Sequence, residues 1–131
     1  MQAEQLLPPE QLRRYADAIV KASLGIKKGD TLVVLGELAH RELMLAVSEA
    51  GFRAGAVTVD LDYNDPFHYR NRLLHGSPEA RGHVSPWRER QFRELIKPTS
   101  ARAAIHGAAE PGYLDGIQPK RIADAQARVA A

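Results

Sequence analysis

With 131 residues the chain has the length of one compact domain, enough to bury about two-thirds of its unfolded surface without disulfide or metal staples. It contains no cysteine, which excludes disulfides, zinc–thiolate sites and a cysteine nucleophile. Hydrophobic residues at 44% and charged residues at 26% exclude a disordered chain, and the net charge of +2 hides a split in which residues 1–65 hold seven Lys/Arg against ten Asp/Glu and residues 66–131 hold eleven against six.

Hydrophobic periodicity divides the chain into alternating helices and strands. A first helix is predicted from Pro9-Glu10, where proline suits the first turn and an acid meets the positive helix end. Leu12, Tyr15, Ala16, Ile19, Val20, Ser23 and Leu24 then form one stripe, and Gly25 supplies a left-handed cap. Lys27-Lys28-Gly29-Asp30 reads as a turn. Thr31-Leu32-Val33-Val34-Leu35 is the short β-branched run of a strand buried on both faces of a parallel sheet. A second helix is predicted over about Ala39 to Ala54, with Leu43, Ala46, Val47 and Ala50 on one face, and with Gly51 and Gly55 at its end as caps. Val57 to Asp62 forms the next strand, with Val57, Val59 and Leu61 alternating against polar residues. The strand–helix–strand spacing is that of a parallel crossover unit.

Residues 65–97 read as helical in two pieces. The first carries Tyr69, Leu73 and Leu74, has Asn64 or Asp65 as its cap, and ends near Gly76-Ser77-Pro78. The second follows Ser85-Pro86, with Ser85 as N-cap and Phe92, Leu95 and Ile96 along it. Ala101 to His106 is a third strand, a Gly/Pro-rich loop spans Gly107 to Pro119, and a last helix from about Gln118 carries Ile122, Ala125 and Val129 on one face. The expected fold is a small three-layer α/β domain over 1–131, with a mainly parallel sheet of at least three strands flanked by helices. No glycine, asparagine or proline closes the last helical pattern. Two readings stay open: a natural terminus that frays, or the first part of a longer protein.

The apolar runs around Leu32–Leu35 and Leu43–Val47 fall far short of the about twenty residues of a membrane span. Met1-Gln2-Ala3-Glu4-Gln5 lacks a basic stretch leading into an apolar one. A soluble, cytoplasmic protein is expected.

Familiar catalytic patterns are missing. His40-Arg41-Glu42 is followed by Met44 where a zinc-protease helix would place its second histidine. His68, His75 and His83 are too widely spaced for ligands on one helix turn. No phosphate-binding glycine loop follows the first strand, and no serine sits in a nucleophile elbow. Two constellations remain. Ligands of open parallel sheets bind beyond the carboxyl ends of the strands, which here supply Glu37, Asp62 and His106 as a crevice for a small polar ligand, a metal or a proton shuttle. The stretch from Tyr63 to Arg93 mixes aromatic residues with arginine and no lysine, and Arg70, Trp87, Arg88 and Phe92 are its candidate interface residues. Arginine in place of lysine favours fixed ion pairs or carboxylate recognition. The alternatives are two amphipathic helices with buried aromatics and solvated arginines, or, least favoured, a nucleic-acid groove.

The order of several segments resembles a known family. These are Leu12 to Val20, Leu24-Gly25-Ile26-Lys27-Lys28-Gly29-Asp30-Thr31-Leu32-Val33-Val34, Glu49 to Ala56, Val59-Asp60-Leu61-Asp62-Tyr63, Arg72-Leu73-Leu74-His75, Pro86-Trp87, and Asp115 to Ala123. In this order they resemble the N-terminal domain of the M29 family of metallo-aminopeptidases. The resemblance implies an α/β domain belonging to a hydrolase about three times longer, which removes N-terminal amino acids from peptides with two divalent metal ions (zinc, cobalt, manganese or magnesium). It places the metal ligands in the later part of such chains, so it assigns no catalytic or metal-binding residue to this one and implies that the 131 residues alone are inactive. It also implies packing against a C-terminal catalytic domain, a share in the wall of the substrate cavity, and homodimer contacts. The rival reading is a free-standing α/β binding module that uses the Glu37, Asp62 and His106 crevice.

Overall fold

Five of the eight prolines stand at the first position of a helix, where the missing N–H has no intrahelical partner to lose. The computed structural model describes residues 7–107 and 112–129. Helix α1 (Pro9–Ala18) starts this way, with Glu10 in its first turn. It runs on through a π-helical turn, Ile19–Ser23. The wider turn bonds Leu24 N–H to the Ile19 carbonyl and Ile26 N–H to that of Val20, around Gly25 at φ +61°. This is the glycine cap that the sequence predicts, one residue looser. Ala16 and Val20 are buried, but Tyr15 is more than half exposed and leaves the predicted stripe.

Strand β1 (Thr31–Glu37) is central in a three-stranded, all-parallel sheet of order β2-β1-β3, with β2 spanning Thr58–Asn64 and β3 spanning Ser100–Ala104. Burial on both faces explains the unbroken apolar run: Leu32 and Val34 face one side, Val33 the other, and all three are buried. Helix α2 (Arg41–Arg53), entered through a 3-10 turn at Leu38–His40, crosses from β1 to β2. With α1 it covers the face that carries Leu32, Val34, Val59, Leu61, Ala101 and Ala103. An ion pair of 2.9 Å between Arg53 and Asp17 ties the two helices at the rim.

Two expectations change here. Gly51 is not a cap but an interior, buried residue of α2, where a Cβ would stand 2.8 Å from Leu32 Cδ2 and 3.3 Å from Val59 Cγ2. It lets the helix backbone approach the sheet. Gly55, at φ +105° and against the Lys28 backbone, does mark the helix end. Val57 stands before β2, 69% exposed, because the strand starts at Thr58, and Val59, Leu61 and Tyr63 are the residues that pack against the core.

Residues 66–95 form three helices, not two: α3 (Pro66–His75), α4 (Pro78–Gly82) and α5 (Pro86–Leu95). Ser77-Pro78 ends α3 and at once starts α4, with Ser77 Oγ accepting from Ala80 N–H at 3.1 Å. Asp65 caps α3 by accepting from Phe67 N–H at 2.9 Å. Ser85 holds the cap position of α5, but its side chain makes no capping bond. The third strand is shorter than expected, and Ile105 and His106 follow it. Helix α6 (Pro119–Val129) packs on α3 and α4 around a second, smaller core of Leu73, Ile117 and Ala125, flanked by Tyr69, Leu74, Leu114 and Ile122. Residues 108–111 of the Gly/Pro-rich loop and the side chain of Val129 lie outside the described residues. Among the described residues no helix is long and apolar enough to cross a membrane.

Candidate functional site

The carboxyl ends of the strands are brought level by the register Leu35↔Asp62 and Glu37↔Asn64 on one side of β1 and Leu35↔Ala104 on the other. Strand order reverses at β1, since β2 and β3 lie on opposite sides of it, which makes this end the expected crevice. Glu37 closes β1 and caps the 3-10 turn in a reciprocal box with His40: its carboxylate takes the His40 backbone N–H, and its own backbone N–H donates to His40 Nδ1 at 3.1 Å. Asn64 Nδ2 donates to the Gly36 carbonyl at 3.3 Å and ties the end of β2 to β1.

Asp62 projects from the sheet face opposite the α1–α2 core, since its neighbours Leu61 and Tyr63 pack into that core. There it meets Arg88 of α5, whose Nη1 donates to Asp62 Oδ2 at 2.7 Å and to Gln91 Oε1 at 2.9 Å. The same guanidinium lies over the Trp87 ring, 4.7 Å from its centroid. A member of the predicted crevice and a member of the predicted interface are thus one ion pair. His106 is exposed beyond β3. Glu37 and Asp62 therefore both have partners within the chain. Among the described residues no group of three or more His, Asp or Glu side chains could hold a metal ion, so these residues do not fit the metals that the resemblance implies.

In the arginine-rich stretch Arg70, Arg81 and Arg88 are half-buried, whereas Arg72, Arg90 and Arg93 are exposed. In α5 the half-buried residues are Arg88, Gln91 and Leu95, at steps of three and four along one seam. Trp87 and Phe92 flank that seam on opposite sides and are 56% and 48% exposed. Arg70 Nη1 donates to the carbonyls of Tyr113 and Asp115, Arg81 Nη1 to that of Gly76, and Arg72 lies over the Tyr69 ring. These guanidiniums serve as multi-donor ties on backbone carbonyls, carboxylates and rings, a task to which a lysine ammonium is poorly matched. In α5 the reading with buried aromatics fails, since Trp87 and Phe92 are exposed, whereas of its arginines Arg90 and Arg93 are exposed and Arg88 is half-buried. A separate groove of about 380 Å³ opens between α1 and α2, lined by Glu10, Arg13, Glu42, Leu45, Ala46 and Glu49 among others. It contains no strand-end residue.

The capping role of Glu37 had at most a weak local signal, since glutamate at the cap and histidine three residues on are not the residue types of the usual capping box. The Asp62–Arg88 pair had none, because 26 residues separate its members.

Comparison with known proteins places this geometry. The family model for thermophilic metalloprotease (M29) matches residues 9–131. Aminopeptidase 2 of Geobacillus stearothermophilus is 31% identical over 121 residues, which is 92% of this chain and 29% of that protein. Aminopeptidase PepS of Streptococcus thermophilus is 24% identical over 113 residues, 86% of this chain and 27% of its own. The solved structure of wild-type AmpT from Thermus thermophilus superposes with a TM-score of 0.74 at 24% identity, covering 91% of this chain and 30% of that one, and so shares its fold. The chain spans less than a third of the length of each of these proteins. The ordered match across nearly the whole described fold shows that the chain belongs to the M29 family of metalloproteases.

Proposed function

We propose that these residues form the non-catalytic N-terminal domain of a metal-dependent aminopeptidase, a cytoplasmic hydrolase that removes N-terminal amino acids from peptides. The observation that carries this reading is the match of 92% of the chain to only 29% of an aminopeptidase. In this reading the two divalent ions, the attack on the peptide bond and the peptide substrate belong to a C-terminal catalytic domain. The present domain contributes part of the cavity wall, the contact with that domain, and contacts within a homodimer. The half-exposed Trp87 and Phe92, held beside the Arg88–Asp62 pair, supply the contact surface, while Arg70 and Arg88 stiffen it from within.

The test is hydrolysis of amino-acyl p-nitroanilides in the presence of zinc, cobalt or manganese. The 131-residue chain is expected to show no turnover, and the longest polypeptide encoded in frame with it to show metal-dependent release of nitroaniline. Turnover by the 131 residues alone, or none by the longer polypeptide, overturns the proposal.

A further inference from the structure

Helices α1 and α2 cover one face of the sheet, and the groove between them opens outward. Its floor is apolar, from Pro9, Leu12, Leu45 and Ala46, and its rim sets Glu10, Glu42 and Glu49 against the single cation Arg13. Two of these acids have weak or shared partners. Arg14 reaches Glu10 only at 3.8 Å with both side chains well exposed, and Arg53 divides itself between Glu49 and Asp17. Glu42 has no ion-pair or hydrogen-bond partner among the described residues. The apolar surface continues along the outer side of α2. Leu45 and Phe52 are seven residues apart, and Leu38, in the turn before the helix, precedes Leu45 by the same step. All three are exposed, at 66% for Leu38, 40% for Leu45 and 54% for Phe52. Glu42 and Glu49 repeat at the same interval on the flank that borders the groove. An apolar row at seven-residue steps with charges beside it is the pattern by which one helix receives another.

We infer that the α1–α2 groove receives an amphipathic helix of a separate polypeptide, which lays an apolar row on Leu45 and Phe52 and places Lys or Arg beside Glu42 and Glu49. Three observations choose this occupant. The rim acids outnumber the rim cation and call for positive charge in the partner. A second copy is the wrong partner. A two-fold contact centred on Leu45 sets the same surface on both sides, so Glu42 of one copy would meet Glu49 of the other, like charge on like charge. The catalytic domain is also the wrong partner, a point that rests on the reading in the preceding subsection. There the catalytic domain meets Trp87 and Phe92 of α5, and α5 packs on the sheet face opposite α1 and α2. A domain seated on one face leaves the other open.

The experiment is methyl NMR on the longest polypeptide encoded in frame with these residues, together with its aminopeptidase assay. The probe is a peptide of leucine and lysine in heptad order, about two heptads long, N-acetylated so that it is not itself trimmed. The expected result is a saturable shift of the Leu12, Leu45 and Ala46 methyl signals. The same peptide with glutamate in place of lysine should shift none of them. Glu42→Lys and Leu45→Ser, both at exposed positions and checked for an unchanged fold by Tm, should each weaken binding by about tenfold or more. Unchanged affinity in Glu42→Lys refutes the charge match, and unchanged affinity in Leu45→Ser shows mere charge attraction; either overturns the proposal. Shifts that depend on protein concentration without the probe assign the face to a second copy and also overturn it. No shift in a polypeptide that hydrolyses p-nitroanilides refutes the docking site and leaves the aminopeptidase role standing. Saturable shifts in a polypeptide that hydrolyses nothing support the site and refute that role.

Discussion

Arg88 satisfies three neighbours at once, the Asp62 carboxylate, the Gln91 amide and the Trp87 ring. The planar guanidinium makes this combination feasible. The pair is neither buried nor fully solvated, since the two side chains are 34% and 25% exposed. Its coupling should therefore exceed that of a surface pair yet stay well below that of a buried one. A double-mutant cycle of Arg88→Met and Asp62→Asn, read by urea denaturation, is expected to give a coupling of about 1 kcal/mol. A coupling indistinguishable from zero would show that the 2.7 Å contact contributes nothing to the fold. Asp62 and Arg88 were each identifiable from the sequence as chemically notable, one by its place at a strand end and the other by its company of aromatics. Their partnership was not, because nothing local to either residue encodes a contact across 26 positions.

At the level of elements, helix starts were readable to within a residue or two. Pro66, Pro78 and Pro86 each follow an aspartate or serine, and each opens a helix. Reading Ser77-Pro78 as an end missed that the same dipeptide begins a new helix. Similar dipeptides do not perform alike. Asp65 bonds the Phe67 N–H, whereas Ser85 makes no side-chain cap bond. Asp65→Ala should therefore cost about 1 kcal/mol and Ser85→Ala at most a few tenths, and comparison of thermal midpoints tests the contrast. Equal losses would mean that Ser85 caps its helix in solution. That polar Arg88 and Gln91 share the inward seam of α5 with Leu95 was not readable. Arg88, Gln91 and Leu95 are turned in and Trp87 and Phe92 are left to the flanks, because the surface that α5 meets carries Asp62.

For the molecule as a whole, two cores share the work. The larger one clamps β1 between its neighbours and under α1 and α2; the smaller joins α3, α4 and α6 through Leu73, Ile117 and Ala125. Arg121 adds a tie by donating to the carbonyls of Leu73 and Leu74 at the end of α3. A core of three buried residues should open below the global unfolding limit. Leu73→Ala, which empties its centre, is expected to cost about 2–4 kcal/mol. It should raise amide exchange in α3 and α6 much more than in β1. Equal acceleration in β1 would show that both cores unfold as one unit.

The linear chain was enough to establish the α/β class, the parallel order of Thr31–Leu35 and its crossover, the glycine-capped first helix and the helix starts at Pro9 and Pro86. All of these follow from short-range sterics and from patterns of two or 3.6 residues, which a single segment contains in full. It was silent on two matters: Gly51 as a point of close helix–sheet approach and the Arg88–Asp62 pair. Each is a property of two surfaces that meet only once the chain has folded, so its cause is divided between segments that carry no local trace of one another.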